Sequence, residues 1–239
     1  MSLLTICQKA SDELEILRPT AIIGSGDANA LKLLRLASKV GFRLMKAFNW
    51  RALQKETTFT SVGTEEQTAI LPADFDRFIS ETFWDRTELE VITGPISPQE
   101  WQSLKADSYS NTANRKFRHR GDSVLIVPTM TAGNTLAFEY VSKNWCQSSG
   151  AVAQSDWAAD TDTGIVDEEL ITRGLVWEFL NAEGLPNAAQ AMSYEEYFKV
   201  LIENDTPTEG ILLAGDIFGG AGSRRYSGSP TVSGNSGLF

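Results

Sequence analysis

The stretch KFRHRGDSVLIVPTMTAGNTLAFEYVSK, Lys116 to Lys143, decides the fold. Its three runs are rich in β-branched and aromatic residues and are separated by Gly121-Asp122 and Gly133-Asn134, dipeptides suited to tight hairpin turns. In the last run Leu136, Phe138 and Tyr140 fall on alternate positions, which places them on one face of a strand. The spacing predicts a three-stranded antiparallel meander.

Toward the N-terminus the period of two persists back to about Leu53. TTFTSV and QTAIL are placed to pair across Gly63, and FISETFW with TELEVIT to form a hairpin turning at Asp85-Arg86. SPQEWQSLKA interrupts the strands as a short helix, with Ser97 as N-cap, Pro98 at the first helical position and Glu100 completing a capping box.

Beyond these strands the period becomes helical on both sides. Leu3, Cys7, Ala10, Leu14 and Leu17 predict a first helix running to Arg18-Pro19, where proline disfavours helical backbone in the residue before it. Asp27 then caps a long second helix whose stripe is Leu31, Leu34, Ala37, Gly41, Leu44 and Phe48, and the two helices are expected to pack as a hairpin. On the C-terminal side, VDEELITRGLVWEFLNAEG opens with three acids, favourable at the positive end of a helix dipole, and ends at Gly184. PNAAQAMSYEEYFKVLIEN is the last helix.

The expected class is therefore α+β. Residues 1–50 and 164–205 form a helical bundle from both chain ends, 51–145 an antiparallel β-rich insert, 146–163 a long loop and 206–239 an extended, flexible C-terminal arm. The arm is expected to be flexible because GGAGSRRYSGSPTVSGNSGLF holds six glycines and five serines, too little apolar surface to offset the entropy of ordering it. Yet it carries Arg224, Arg225, Tyr226, Leu238 and Phe239, side chains of the kind that anchor a segment in another protein's pocket.

Composition narrows the function. Apolar residues make up 42% and aromatics 10%, the proportions of an ordinary globular chain. The net charge is -10, and both charges after Asp216 are arginines, so residues 1–216 carry -12. Such a balance disfavours tight nucleic-acid binding, which requires clustered Lys and Arg against phosphate. Cys7 and Cys146 are too few for a disulfide framework, which points to assembly in a reducing cytoplasm. No basic leader precedes the first apolar residues, and no apolar run approaches the roughly 18 residues that span a bilayer, so no membrane partner is expected.

The motifs that imitate chemistry fail on their details. AIIGSGDANALKLL places Asn29 where a dinucleotide fingerprint needs its third glycine, and no βαβ unit follows, so a turn between helices explains it better. DTDTGIVDEE resembles a calcium loop, but with Asp160 at its first position Gly164 comes one place early and Ile171 stands where a bidentate glutamate belongs. Asp74 with Asp76 is a carboxylate pair of the sort that arises by chance among 31 acids. His119 is the only histidine, which excludes His-rich metal sites. No catalytic, metal or cofactor-binding residue is assigned, and an enzyme is not expected. The dense basic cluster Arg115, Lys116, Arg118 and Arg120 has two readings: a solvated edge strand whose charges block aggregation, or a patch that docks on acidic surface of a neighbouring subunit or tail component.

LPADFDRFI with TFWDR, GPISPQEWQSLKA, FRHRGDSVLIVP, TLAFEYVSKNW and DTDTGIVDEELITRGLVWEF resemble a family of phage and prophage head-to-tail adaptor, or head-completion, proteins of short-tailed viruses. The likeness covers most of Leu3 to Leu201. It implies a structural virion protein without cofactor at the head–tail junction, with about twelve copies closed into a ring by one repeated contact. The implied partners are the portal protein, a tail or nozzle protein and the chain itself as a homo-oligomer, while genomic DNA passes through the lumen without specific binding. In that frame the arm grips the portal. Alternatives are another tail ring component, such as a tail terminator or tail-tube protein, a soluble ligand-binding module using Trp101, Trp145 and Trp157 as exposed platforms, and a hydrolase built from scattered acids.

Overall fold

The computed structural model describes residues 1–106 and 114–206. It is a mixed fold of five helices and three antiparallel sheets among those residues.

Four of the helices share one core. α1 (Leu3–Glu13) and α2 (Ala28–Ala47) come from the start of the chain, α4 (Glu168–Glu183) and α5 (Ala188–Asp205) from its later part. α4 is the common partner: it packs on α1 and on α2, and α5 packs on it. The residues α2 buries are Ala30, Leu33, Ala37, Val40, Gly41, Leu44 and Met45, a stripe turned slightly from the one the sequence predicts, with Leu31 exposed. Gly41 is required there, because a Cβ on it would lie 2.2 Å from the Trp145 ring.

Local chemistry sets most helix ends. Asp27 accepts the Asn29 N–H at 3.2 Å, and Asp167 accepts that of Leu170 at 2.8 Å. Gly184 closes α4 in the left-handed region at φ 69°, with the Leu185 N–H returning to the Leu180 carbonyl at 2.9 Å. α1 stops well short of Pro19, through the same device. The Ile16 N–H bonds the Ser11 carbonyl at 3.1 Å around Glu15, whose φ is 54°, and leaves Leu17 exposed beyond the helix.

The strands form two principal layers. β8 (Thr135–Ser142) is central in the first. β1 (Gln54–Thr60) occupies one of its edges along the whole length, while β4 (Trp84–Asp85) and β3 (Phe75–Phe78) occupy the other end to end, with β5 (Glu90–Val91) beyond β4. The second layer is β2 (Glu66–Gln67), β7 (Ser123–Val127) and β6 (Lys116–Arg120), in that order. α3 (Pro98–Ala106) covers it from outside, burying Trp101 against Leu125 and Val127. Between the layers lies an aromatic core in which Leu136, Phe138 and Tyr140 do share one face, opposite Phe117, Val124 and Ile126. Val141, on the other face of β8, joins the helical core.

The predicted meander is corrected here. β6 and β7 do form the hairpin across Gly121-Asp122, with Gly121 at φ 59° as the first of two loop residues, but β7 does not pair with β8. A strand has two edges; β2 and β6 fill those of β7, and β1, β3 and β4 those of β8. The expected TTFTSV–QTAIL pairing fails for the same reason, since β1 enters the first layer and β2 the second. Both crossings run side by side and are joined at buried Ser61. Its N–H bonds the Asn134 carbonyl at 2.9 Å, its hydroxyl donates to the Thr131 carbonyl at 2.6 Å, and the Gly133 N–H returns to its carbonyl at 3.0 Å. The β4–β5 hairpin forms, but its turn is the four residues 86–89 and not Asp85-Arg86: Asp85 still pairs with Glu90 and holds the turn by accepting the N–H groups of Thr87 and Glu88.

Residues 146–163, expected as a loop without period, hold three two-residue strands: β9 (Cys146–Gln147) pairs with β10 (Ala153–Gln154) and with β11 (Thr163–Gly164). Asp160 accepts the N–H groups of Ile22 and Ile23, and Asp162 those of Ala158 and Ala159. The acids that imitate a calcium loop thus hold backbone in place.

Candidate interaction surfaces

The basic cluster divides by strand alternation. Arg115, just before β6, points inward with Phe117 to the seam between the layers, where its guanidinium lies 2.8 Å from Glu88, 2.6 Å from Glu90 and 3.8 Å from fully buried Asp85. Asn134 completes this knot by donating to Asp85 at 2.7 Å and to Glu88 at 2.9 Å. The Asn134 and Arg115 hydrogen bonds hold the Glu88 carboxyl below its ordinary range. Lys116 bonds Glu100 of α3 at 2.6 Å, which diverts that carboxylate from the N-terminus of its own helix, where Ser97 caps the Glu100 N–H as expected. Arg118 and Arg120 alternate away from the aromatic core with Lys116, and among the described residues neither forms an ion pair. His119 stands at the rim of that core, its ring 5.5 Å from Phe78 and 5.7 Å from Phe75.

A second surface lies on the outer face of the first layer. Phe83 and Ile92 point into the aromatic core, so Trp84 and its cross-strand partner Val91 point out. Trp84 is 46% exposed and Leu89, in the turn beside it, 78%. Trp84 separates two concavities of about 400 and 620 Å³. Glu56, Glu81, Arg86 and Glu139 line the first; Thr93, Pro95, Ile96 and Glu100 are among the residues of the second. Glu56 sits directly opposite Glu139 across the β1–β8 ladder.

The other groups weighed from the sequence are occupied within the fold. Trp101, Trp145 and Trp157 are all buried, which removes the exposed platforms proposed for a ligand-binding module. Asp74 receives Lys55 at 2.7 Å, Ser142 at 2.8 Å and Tyr140 at 2.9 Å; burial raises its carboxyl, and these three bonds together outweigh burial and lower it. Burial, aided by Asp74, pushes the Tyr140 hydroxyl up to about 12. Asp76 pairs with Arg77 and Lys46. Both cysteine thiols are pushed up to about 12, chiefly by burial, with Asp160 adding at Cys7 and Asp156 and Asp162 at Cys146. Arg224, Arg225, Tyr226, Leu238 and Phe239 lie outside the described residues.

The Trp84 face escaped sequence reasoning because TFWDR reads equally well with either of its aromatics inward; only the pairing register settles it. The signal available was two adjacent large aromatics on a strand, of which one must face out.

Compared with known proteins, residues 1–209 match the family model described as SU10 adaptor protein. No curated protein matches the chain.

Proposed function

The chain belongs to the SU10 adaptor protein family, and from that premise we propose that it is a ring-forming head-to-tail adaptor of a short-tailed phage. An adaptor's role is structural. Copies, about twelve by the resemblance of its sequence phrases, close into a ring by one repeated contact. The ring sits between the portal and the tail or nozzle protein. The helical bundle builds it, the β layers meet neighbours or the tail, and residues 206–239 reach the portal, with Arg224, Arg225, Tyr226, Leu238 and Phe239 as anchors. Of the cluster Arg115, Lys116, Arg118 and Arg120, the two arginines that face outward, Arg118 and Arg120, form the basic side of the subunit or tail contact, while Arg115 and Lys116 are held by carboxylates of their own subunit.

The family match carries this proposal, because it spans all five helices and every strand of the two layers. The acidic balance supports it: a channel wall of the same sign as phosphate lets the genome pass without adhering. An arm that orders only on docking has its entropic cost repeated in every copy and offset by avidity around the ring.

The test mixes the cognate portal with the full chain and with a chain lacking Gly219–Phe239, and images the products by electron microscopy. The expected outcome is a ring of adaptor density on portal for the full chain and loss of that ring on truncation. Equal binding by both would remove the arm from the contact. No binding by either would overturn the adaptor assignment.

A further inference from the structure

We propose that the acid-rimmed Trp84 face of one subunit receives the Arg118–Arg120 hairpin tip of a second copy, as the head-to-tail contact that builds the ring. The proposal rests on the adaptor reading only for the ring; the two surfaces and their chemistry come from the fold.

The two surfaces are complementary in charge. Among the described residues Arg118 and Arg120 form no ion pair, and neither do Glu81 and Glu139 on the Trp84 face. Among the described residues that line it, Glu56, Glu81 and Glu139 face one cation, Arg86, which pairs with Glu56 at 2.7 Å. Like charges directly opposite in a ladder destabilise it, so the Glu56–Glu139 pair is a cost to the isolated subunit that an incoming cation removes. An arginine laid over the half-exposed Trp84 indole gains a cation–π contact as well, and a guanidinium suits such a site better than an ammonium.

The two surfaces are also placed for a chain of contacts. Phe83 and Phe117 meet in the core with ring centroids 4.9 Å apart. Trp84 follows the first and Arg118 the second, so each points away from that core from its own layer. Two different, mutually complementary patches on one subunit give a heterologous contact, which closes into a ring when the rotation allows. The β6 hairpin tip suits insertion: Thr93 and Ile96 bond the outer edge of β6 only as far as Phe117, short of Arg118 and Arg120.

The experiment reverses each side separately and then together in the full chain. R118E/R120E and E81K/E139K should each weaken self-association about tenfold or more, measured by sedimentation at low salt both free and on portal. The four-fold variant, in which a Glu tip meets a Lys face, should recover to within about threefold of the parent. A second measurement covers variants that fold poorly: chains carrying only Arg120→Cys and only Glu139→Cys are mixed and treated with a short bismaleimide. Cys7 and Cys146 are buried and do not compete. Crosslinked dimer in the mixture, and not in either chain alone, supports the contact. Parent-like assembly of both double variants, or absence of crosslink in assembled rings, overturns it and leaves the adaptor reading standing if portal is still bound. Charge-swap rescue without portal binding upholds the contact and removes the adaptor reading. A parent chain that neither self-associates nor binds portal removes both.

Discussion

Arg115 and Arg118 lie within one short basic run, RKFRHR, yet the fold uses them in opposite ways. Arg115 is 13% exposed and holds three carboxylates at the seam between two layers. Arg118, on the other side of the strand, meets none among the described residues. A cluster of charge in a sequence therefore mixes two populations, one spent on folding and one left for partners, and the strand's period of two sorts them. The division makes a sharp claim: changes on the inward side should cost stability, and changes on the outward side should cost association.

The largest expected effect is at Arg115. Truncation to Ala leaves Asp85, Glu88 and Glu90 together without their cation, and Asp85 fully buried. Breaking such a pair costs about 3 kcal/mol. For a chain of this length that lowers Tm by about 6–12 °C. Urea unfolding followed by circular dichroism reads it directly. A loss under about 1 kcal/mol would mean that the seam is held by its apolar contacts and that Arg115 belongs with the outward population.

The helical unit contains a counterpart on which the same comparison can be sharpened by pH. Glu178 of α4 is only 5% exposed and receives Lys39 at 2.7 Å and Arg43 at 2.5 Å from α2, while Arg43 stacks over Trp177. Burial raises its carboxyl; the Lys39 hydrogen bond and the Arg43 and Lys39 charges outweigh burial and lower it. A carboxyl lower in the folded chain than in the unfolded one stabilises fully above the ordinary glutamate value of about 4.3, and that stabilisation disappears as pH falls through the folded value. Glu178→Gln should cost about 2 kcal/mol at pH 7. The gap between variant and parent should then narrow as melts are run at progressively lower pH below about 4.3, as the parent's own carboxylate takes up its proton. A gap that stayed constant would show that the side chain acts through packing and not through charge.

What was legible in the sequence follows the range of the interactions. Asp27, Ser97, Asp167 and Gly184 work within one helical turn of where they stand, and their roles can be read from their neighbours. The end of α1 could not, because Glu15 occupies a left-handed position where glycine is the usual signal. Strands were legible as strands, and so was the shared face of Leu136, Phe138 and Tyr140. Their pairing was not, since a turn implies a hairpin only when both arms stay in one sheet, and the crossing at Ser61 and Asn134 depends on a contact between segments far apart in the chain. A warning was present: SVLIV is apolar at four of five positions and TLAFEYVS carries an unbroken Leu136-Ala137-Phe138, runs that suit strands flanked on both edges. The basic tip was visible for the same local reason as the caps. Its acidic counterpart was not, because Glu56, Glu81 and Glu139 converge only once β1, β4 and β8 are in register.

The smallest expected change bears most directly on the outward population. Glu139→Gln keeps the side chain's size and removes one of two carboxylates facing each other across the β1–β8 ladder, while Arg86 remains on Glu56. If the charge does nothing for the fold, the isolated subunit should gain about 0.5 kcal/mol, since the cross-strand repulsion is relieved and no bond is lost. Association should weaken in the same variant, an exchange of stability for contact that is common where a surface is kept for a partner. Melts of the monomer beside sedimentation of the assembly measure the two effects on one preparation. A variant that melts earlier than the parent would place Glu139 among the charges spent on folding, and the boundary drawn between the two sides of these strands would have to move.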